Sequence, residues 1–563
     1  MNRNLTATQK DYAVFLPATS GFYSTFIGKQ RYSNYVDPAR IPKSFTSGVE
    51  SLNYLEPDKG AFYYQWCLYS AGHANLDLNK YDESEDMFRN RDRSTSWVLG
   101  DSGGFQIGKG VWEGEWRDPL SAEVQAKMKD CIARGVETVP ALDKTGNQIL
   151  DKNGNVKLIK IDRVKEYQTR LDAAQKKREL VLAWMDTLMD YGMVLDIPAW
   201  VCRSPDGIKA TGISTYQEAA DATKYNNEYF IKHRNNNCKF LNVLQGETHS
   251  DADDWYDQMK GFCDPKLYPT NHFNGWAMGG QNMCDAHLVL KRLVALRFDG
   301  LLEPGVQDWM HFLGTSKLEW ACLLTDIQRA VRKYHNPNFT ISFDCASPFL
   351  ATANGQIYIQ TETEDRTKWV YRMVPSADDK KYATDNRLFK DAVIQDKIFK
   401  NFESSPLIDQ VEIKDICIYA PGDLNKVGKE GNTSWDSFSY AIQMGHNVWS
   451  HLNAVQQANR QYDNNIYPSM LVHEVFDRVY IRDIIDKIFA TNDRKIAEEL
   501  INENSRKWMA IPGTRGAIGR KTMNSVTKFN EHFEEVVDDD VDDDFSLDEI
   551  ANLDNLELNI KEL

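Results

Sequence analysis

The sequence lacks several features that would assign the chain to a common class. No stretch approaches the roughly 18 to 20 consecutive apolar residues that a membrane-spanning helix requires. The nine cysteines are scattered singly, without a Cys-x-x-Cys pair, which fits a reducing compartment better than a disulfide framework. The first ten residues are polar and contain no signal-peptide apolar core. We therefore expect a cytoplasmic protein, in the host cytoplasm if the chain is viral, with no membrane partner.

Positive charge is scarce at the end of the chain. Residues 534–563 contain thirteen Asp or Glu and one Lys, which leaves only −4 of the total net charge of −16 on residues 1–533. A block of like charge cannot bury a core, so we expect a disordered acidic tail over 531–563. Residues 506–528 hold six basic residues and no acidic one, a composition that suits either contact with a polyanion or a solvated linker.

Short apolar runs, ended by Gly, Asp or Gln, predict eight buried strands. The runs are residues 12–21, 64–72, 96–104, 193–200, 239–247, 274–280, 308–316 and 340–348. Helical periodicity between the later runs predicts helices at 164–189, 215–232, 251–262, 285–297 and 318–334. Eight parallel strands with helical crossovers favour an α/β fold, a (β/α)8 TIM barrel. An open doubly wound sheet is the alternative, but no first strand leads into a Gly-x-Gly-x-x-Gly loop.

The length of 563 residues exceeds that of most single cores, so we expect either one large domain with additions or two domains. Two turn signals predict a hairpin insertion near 141–162. A closing helix is predicted at 446–461. The predicted segments are the barrel core at 1–357, an insertion after the eighth strand at 358–440, closing helices with the basic Gly-containing segment at 441–530, and the acidic tail at 531–563.

Polar residues and glycines stand at the ends of several predicted strands, namely Asp101, Asp196, Asp344, Gln245, Gly246, Gly279 and Gly280. The carboxyl ends of barrel strands open on one mouth, where the active sites of TIM barrels lie. Glycine beside such positions removes side-chain bulk, so that a flat ligand can approach the backbone. A single strand-end Asp is often only a helix N-cap, and Asp196 taken alone fits that alternative equally well.

Six motifs give the chain a resemblance to the tRNA-guanine transglycosylase family and its DNA-modifying relatives. In chain order they are DSGGFQ at 101, VLQGE at 243, AMGG at 277, FLGTS at 312, FDCASPFLATANGQ at 343 and HN at 446. They occur in the family's order and span most of residues 97–461. The resemblance implies base exchange, in which guanine is displaced from its sugar, the enzyme holds the sugar covalently, and a 7-deazaguanine takes the vacant place.

The resemblance also implies roles for individual residues. Asp344 would be the nucleophile that attacks C1′, and Asp101 the general acid/base that moves the proton on the leaving and entering bases. The chemistry independently requires two such carboxylates, as in retaining glycosidases. Phe105 and Leu313 would form a stacking slot around the base, although Phe105 fits a plain core position as well. The other substrate-binding residues would be Ser102, Gly103, Gly104, Asp196, Gln245, Gly246, Gly279 and Gly280.

The sequence departs from the family in two places. Leu350 and Ala353 replace two arginines that contact RNA in the tRNA enzymes, so we expect the usual tRNA contact to be absent. Only two of the family's four zinc ligands have counterparts in this sequence, and these are Cys417 and His446. We therefore expect no required cofactor, and a retained structural zinc is the weaker alternative. A hydrogen bond at a helix end is the other explanation of His446.

These departures favour the DNA-directed branch, whose members look like phage or bacterial enzymes that place 7-deazaguanines in DNA and so protect it from restriction. We therefore predict a pentosyltransferase that exchanges guanine in DNA for a preQ0-like base. Its partners would be DNA and the free 7-deazaguanine base, and a homodimer is left open. The alternatives are a tRNA-guanine transglycosylase with altered recognition and a non-catalytic nucleic-acid-binding partner subunit.

Overall fold

The structure is a computed structural model of the chain, whose described residues are 11–32, 36–142, 147–280, 285–367, 369–396, 399, 401–418, 434–473 and 478–511. The predicted acidic tail lies outside the described residues, as does the predicted basic segment beyond residue 511. The chain forms two compact units. The first comprises Met1–Asp101, Trp184–Met193 and Asn235–Leu563, and the second comprises Ser102–Ala183 and Val194–Arg234.

The strands of the described residues are numbered in chain order. They are β1 Val14–Pro17, β2 Trp66–Ser70, β3 Trp97–Asp101, β4 Val136–Pro140, β5 Leu158–Asp162, β6 Tyr191–Met193, β7 Lys239–Leu244, β8 Gly275–Met278, β9 Trp309–Phe312, β10 Thr340–Cys345, β11 Gln356–Glu362, β12 Val370–Pro375, β13 Val472–His473 and β14 Val479–Tyr480.

The α-helices are numbered in the same way. They are α1 Gly21–Tyr32, α2 Asp86–Arg89, α3 Gly104–Gly108, α4 Ala122–Arg134, α5 Arg163–Leu188, α6 Pro205–Thr211, α7 Tyr216–His233, α8 His249–Met259, α9 Ala286–Phe298, α10 Leu318–Tyr334, α11 Ser347–Ala353, α12 Phe389–Gln395, α13 Ile413–Ile416, α14 Ser437–Asp463, α15 Ile481–Ala490, α16 Arg494–Glu503 and α17 Ser505–Met509.

An eight-stranded parallel sheet forms the centre of the first unit. Its strand order is β1-β10-β9-β8-β7-β6-β3-β2, and a parallel bridge between Ala18 and Leu68 joins β1 to β2. Helices such as α8, α9 and α10 connect successive strands, as parallel neighbours require. The predicted α/β fold of the (β/α)8 type is therefore confirmed.

Parallel strands covered on both faces favour continuous apolar runs, and the barrel strands have this character. All residues of β8 and β9 are buried, and in β7 only Lys239 is exposed. Seven of the eight predicted strand segments each contain one observed barrel strand. Each observed strand is shorter than its predicted run, because the Gly and polar residues at the ends of the run lie outside the strand.

The fourth predicted strand, at 193–200, is wrong in its position. The observed strand is β6, Tyr191–Met193, and pairs with β3 and β7. After Met193 the backbone turns, with the Asp196 nitrogen donating to the Val194 carbonyl at 2.9 Å. Pro198 has no N–H to give to a ladder, and a short 3-10 helix follows at Ala199–Arg203. The apolar run therefore continues beyond the strand.

Aromatic rings fill the barrel interior at the amino-terminal ends of the strands. The ring centroids of Trp66 on β2 and Trp309 on β9 are 5.4 Å apart, although β1 and β10 separate these strands in the sheet. The rings therefore meet across the interior. Trp97 stacks on Trp66 at 5.0 Å, and Tyr191 lies 4.5 Å from Trp309. Side chains two and four positions further along these strands face the same interior.

The second unit contains the predicted hairpin. β4 and β5 pair antiparallel from Val136 opposite Asp162 to Pro140 opposite Leu158, so the pairing starts before the predicted residue 141. Bridges between Leu142 and Gln148 and between Leu150 and Val156 continue it. Part of the first predicted turn, residues 143–146, lies outside the described residues.

The segments after the eighth barrel strand also belong to the first unit. β11 and β12 form an antiparallel pair, and α14 packs against α10, α11 and β11. The closing helix begins earlier than the predicted residue 446, because the Asp436 side chain caps α14 by accepting from the Ser439 nitrogen. Among the described helices, none is long and apolar enough to cross a membrane.

Candidate active site

Asp344 lies near the carboxyl end of β10 and is held by two donors. Its Oδ1 accepts a hydrogen bond from His311 Nε2 at 3.0 Å and from the Gly314 nitrogen at 2.9 Å. Within the described part of the chain, Oδ2 of this carboxylate receives no comparable bond. The side chain is 13% exposed, so one oxygen is fixed while the carboxylate still reaches solvent. A carboxylate held in this way is oriented by its donors and has the chemistry of a nucleophile.

His311 connects Asp344 to a buried chain of donors. Its Nδ1 lies 2.8 Å from Ser342 Oγ, and Ser342 Oγ accepts from Trp309 Nε1 at 2.8 Å. Because Ser342 receives the indole proton, its own hydroxyl can donate to Nδ1 of a neutral His311, whose Nε2–H then points at Asp344. His311 is fully buried, so this chain holds its ring in place beside the carboxylate.

Asp101 ends β3 and is paired with the neighbouring strand. Ser70 is its register partner on β2, and Ser70 Oγ donates to Asp101 Oδ2 at 2.6 Å. Ser70 Oγ also accepts from the Gly72 nitrogen at 3.1 Å, which orients the hydroxyl.

Both carboxylates belong to the inward face of the barrel. Asp101 is four residues after the inward-facing Trp97 on β3, and residues four apart on a strand share a face. Ser342, which bonds both Trp309 and His311, is inward as well, and Asp344 is two residues beyond it. The structure therefore directs Asp101 and Asp344 into the same interior, at the end where barrel active sites lie.

Gln245, Gly246, Gly279 and Gly280 come together after β7 and β8. A Cβ on Gly279 would lie 3.0 Å from Gln245 Nε2, and one on Gly280 would lie 2.4 Å from the Gly246 oxygen. Gly246 has φ +137°, and a Cβ there would lie 2.6 Å from the Ala252 backbone. These glycines therefore allow two chain segments to pack closely against each other. That they also let a flat ligand approach the backbone stays a prediction.

Leu313 follows β9 and joins this group. Its nitrogen donates to the Met278 carbonyl at 3.2 Å, beside Gly279, whose nitrogen donates to the Leu244 carbonyl at 2.8 Å. The predicted residues Gln245, Gly246, Gly279, Gly280 and Leu313 therefore lie at the carboxyl ends of three neighbouring strands.

The remaining predicted residues belong to the second unit. Gly103 has φ +83°, a conformation that favours glycine, and begins the short helix α3. Ser102 is buried, and a Cβ on Gly104 would lie 2.9 Å from the Asp196 backbone oxygen. Gly104 and Asp196 are therefore neighbours within this unit, and Asp196 is itself buried.

Phe105 is only half-buried, so it is not a plain core residue. Its ring lies 5.9 Å from that of Trp200, at an interplanar angle of 61°. The Lys109 ammonium lies 5.6 Å from the centroid of each ring. A cation beside two aromatic rings suits contact with a base and its phosphate. The predicted slot between Phe105 and Leu313 stays a prediction.

The two residues with zinc-ligand counterparts have other partners. Both ring nitrogens of His446 lie near the backbone, with Nε2 at 2.8 Å from the Tyr358 carbonyl and Nδ1 accepting from the Ser405 nitrogen at 3.4 Å. Cys417 Sγ donates to the Ala377 carbonyl at 3.1 Å. The described residues contain no group of three or more His, Cys, Asp or Glu suited to a metal. His446 lies in the middle of α14, so the helix-end explanation is wrong.

Sequence reasoning missed three polar partners, Ser70, His311 and Ser342. Each lies on a predicted strand. The sequence signal that could have found such a residue is its spacing from the predicted site residue on the same strand. Ser342 is two residues before Asp344, so it shares that residue's face, whereas the pairing of His311 with Ser342 depends on strand register.

No known family model matches the chain, and no curated protein matches it. The fold and these side chains define its class as a (β/α)8-barrel protein with two inward-facing carboxylates.

Proposed function

We propose that the chain is a DNA-guanine transglycosylase, which exchanges guanine in DNA for a 7-deazaguanine such as a preQ0-like base. Asp344 attacks C1′ of the target nucleotide, so a bond from its carboxylate oxygen to C1′ forms as the C1′–N9 bond breaks. Asp101 gives a proton to the departing guanine. The incoming base then loses its N9 proton to Asp101 and displaces Asp344 from C1′. Two inversions retain the configuration of the sugar.

The hydrogen bonding of Asp344 is the observation that carries this proposal. His311 and Gly314 both bind Oδ1, which leaves the second oxygen for the sugar. The two donors also stabilise the carboxylate when it leaves C1′ in the second step. Asp101, oriented by Ser70, is the second carboxylate on the interior face and supplies the acid/base function.

Residue 350 favours DNA over tRNA as the substrate. It corresponds to an RNA-contacting arginine of the resembled tRNA enzymes, yet Leu350 is buried in the first unit at 3% exposure. A buried leucine provides no donor to a phosphate or a base edge. A duplex target must be flipped out of its stack, at a cost of a few kcal/mol, before Asp344 can reach C1′. We further propose that the modified base protects phage DNA from restriction.

An exchange assay tests this proposal. The purified full chain is incubated with labelled guanine and either duplex DNA, single-stranded DNA or unmodified tRNA, and incorporation into each polymer is measured. Mass analysis of nucleosides after incubation with preQ0 then identifies the inserted base. The expected result is incorporation into DNA that is lost in Asp344→Asn and Asp101→Asn, and retained in Asp254→Asn, a control on the exposed side of α8.

The outcomes separate the alternatives. Incorporation into tRNA alone would replace the DNA proposal with a tRNA-directed transglycosylase. Nucleic-acid binding without exchange, and unchanged by either active-site substitution, would indicate a non-catalytic partner subunit.

A further inference from the structure

A cavity in the first unit, away from the candidate active site, has three arginines in its lining. Its volume is about 360 Å³, and it lies where the end of α14, β14 and the start of α15 meet. The lining residues are Arg366, Asn465, Ile466, Tyr467, Arg478, Tyr480 and Arg482. None of them belongs to the barrel strands or to the candidate active site. The volume is typical of a site for a small ligand.

Positive charge predominates among the described residues of this lining. Three of them are arginines, and none of those described is Asp or Glu. Arg482 already has one carboxylate beside it, because Asp483 Oδ1 lies 3.8 Å from Arg482 Nε. Asp463, also in this region, is engaged by both terminal nitrogens of Arg329. Like charges that converge on a concave surface create a potential that attracts an anion.

Aromatic contacts hold Arg482 in place. Its guanidinium lies 4.8 Å from the Tyr467 ring centroid and 5.4 Å from that of Tyr480, and the two rings are 4.9 Å apart. Arg366 Nε donates to the Tyr467 carbonyl at 2.9 Å, which fixes a second guanidinium. Fixed guanidinium groups lose little conformational entropy when they bind a phosphate through paired hydrogen bonds.

The start of α15 adds to this positive field. Tyr480 is the N-cap residue of this ten-residue helix, and its side chain makes no capping hydrogen bond. The positive end of the helix dipole therefore lies beside Tyr480, which lines the cavity, and the first turn holds Asp483 as well as Arg482. An anion in the cavity would be stabilised by the helix terminus and by the arginines that line it.

We propose that this cavity binds a phosphate group, either a phosphate monoester such as a nucleotide or a phosphodiester of the DNA backbone. Arg366, Arg478 and Arg482 bind the phosphate oxygens, and the amide of Asn465 is positioned at the rim. Tyr467 orients that amide, since its hydroxyl donates to Asn465 Oδ1 at 2.7 Å. The site is independent of the proposed base exchange.

Isothermal titration calorimetry with the full chain tests this site. The ligands are inorganic phosphate, thymidine monophosphate, which carries no guanine, and a short DNA duplex, each at constant ionic strength in chloride. We expect Arg478→Gln and Arg482→Gln to weaken the Kd about ten-fold for the bound ligand, as for the loss of a charge-assisted hydrogen bond. Lys487→Gln, on the same helix as Arg482 but outside the cavity lining, should bind as the unaltered chain does.

The ligand that the arginine variants bind more weakly than the unaltered chain identifies the source of the phosphate. Weaker binding of phosphate and thymidine monophosphate supports a monoester, and weaker binding of the duplex alone supports the DNA backbone. The proposal is overturned if none of the three ligands binds, if the arginine variants bind unchanged, or if Lys487→Gln weakens binding equally. Thermal unfolding of Arg478→Gln, whose side chain is at an exposed position, checks that the fold is retained.

Discussion

The contacts of His311 are visible in the structure, whereas the sequence pattern gave no indication of them. It binds Asp344 directly, while its second nitrogen is held by Ser342, which Trp309 holds in turn. Every donor in this chain points towards the carboxylate when His311 is neutral. Removal of the imidazole would leave Asp344 with the Gly314 nitrogen as its remaining donor among the described residues.

We expect His311→Ala to lower the rate of the first chemical step about 10- to 100-fold, the effect of losing one hydrogen bond to a charged group. His311→Gln should restore part of the rate, because its amide can donate in place of Nε2. Single-turnover release of labelled guanine measures the step separately from DNA binding. His233→Ala, at the end of α7, is the control. A rate unchanged in His311→Ala would contradict the positioning role.

At the scale of elements, the sequence predicted the barrel well because its strands are separate apolar runs with glycine or polar ends. β7, β8 and β9 each fall within one such run. The prediction was wrong at β6, where an apolar run continued past the strand into Pro198 and a 3-10 helix. Apolar patterning alone does not distinguish a strand from the buried loop after it, since both exclude water.

The packing of α10 on α14 buries an ionisable pair. Asp326 on α10 accepts a hydrogen bond from the Tyr462 hydroxyl on α14. Burial raises the pKa of the Asp326 carboxyl to about 7, although the hydrogen bond from Tyr462 and the charge of Arg329 act in the opposite direction. The folded state therefore favours the neutral acid far more than the unfolded chain does.

This pKa shift predicts that stability falls as pH rises. Below pH 4 the carboxyl is protonated in both states, so its stabilising contribution is fully present, and it is lost as pH rises through about 7. We expect Asp326→Asn, which keeps the acceptor for Tyr462 without the charge, to lessen the decline in the free energy of unfolding between pH 5 and about 8. Urea unfolding at several pH values measures this, and an equal decline in both proteins would contradict it.

At the scale of the whole molecule, the predicted site residues are divided between the two units. Asp101, Asp344, Gln245 and Leu313 belong to the first, and Phe105 belongs to the second. Sequence reasoning placed the two carboxylates at or near the carboxyl ends of strands, and they lie there in β3 and β10; the strand ends of a barrel converge on one mouth. It missed Ser70 and His311, whose roles come from register between strands that are distant in the chain.

The uneven charge of the chain makes a further prediction about DNA binding. The acidic residues of 534–563 follow the basic stretch 506–528 and would compete with DNA phosphates for it. Removal of 534–563 should therefore tighten DNA binding at low salt, with a smaller effect at high salt because screening weakens the competition. Binding titrations at two salt concentrations measure this. Equal affinity of the two proteins at low salt would contradict the competition.

The covalent intermediate is the central claim of this account, and trapping it is the most direct test. The full chain is mixed with DNA in the absence of an incoming base, quenched with acid and digested, and the peptides are analysed by mass spectrometry. The account predicts a nucleotide adduct on the peptide that contains Asp344, absent from Asp344→Asn. A chain that exchanges guanine without any adduct, or with an adduct on another residue, would contradict it.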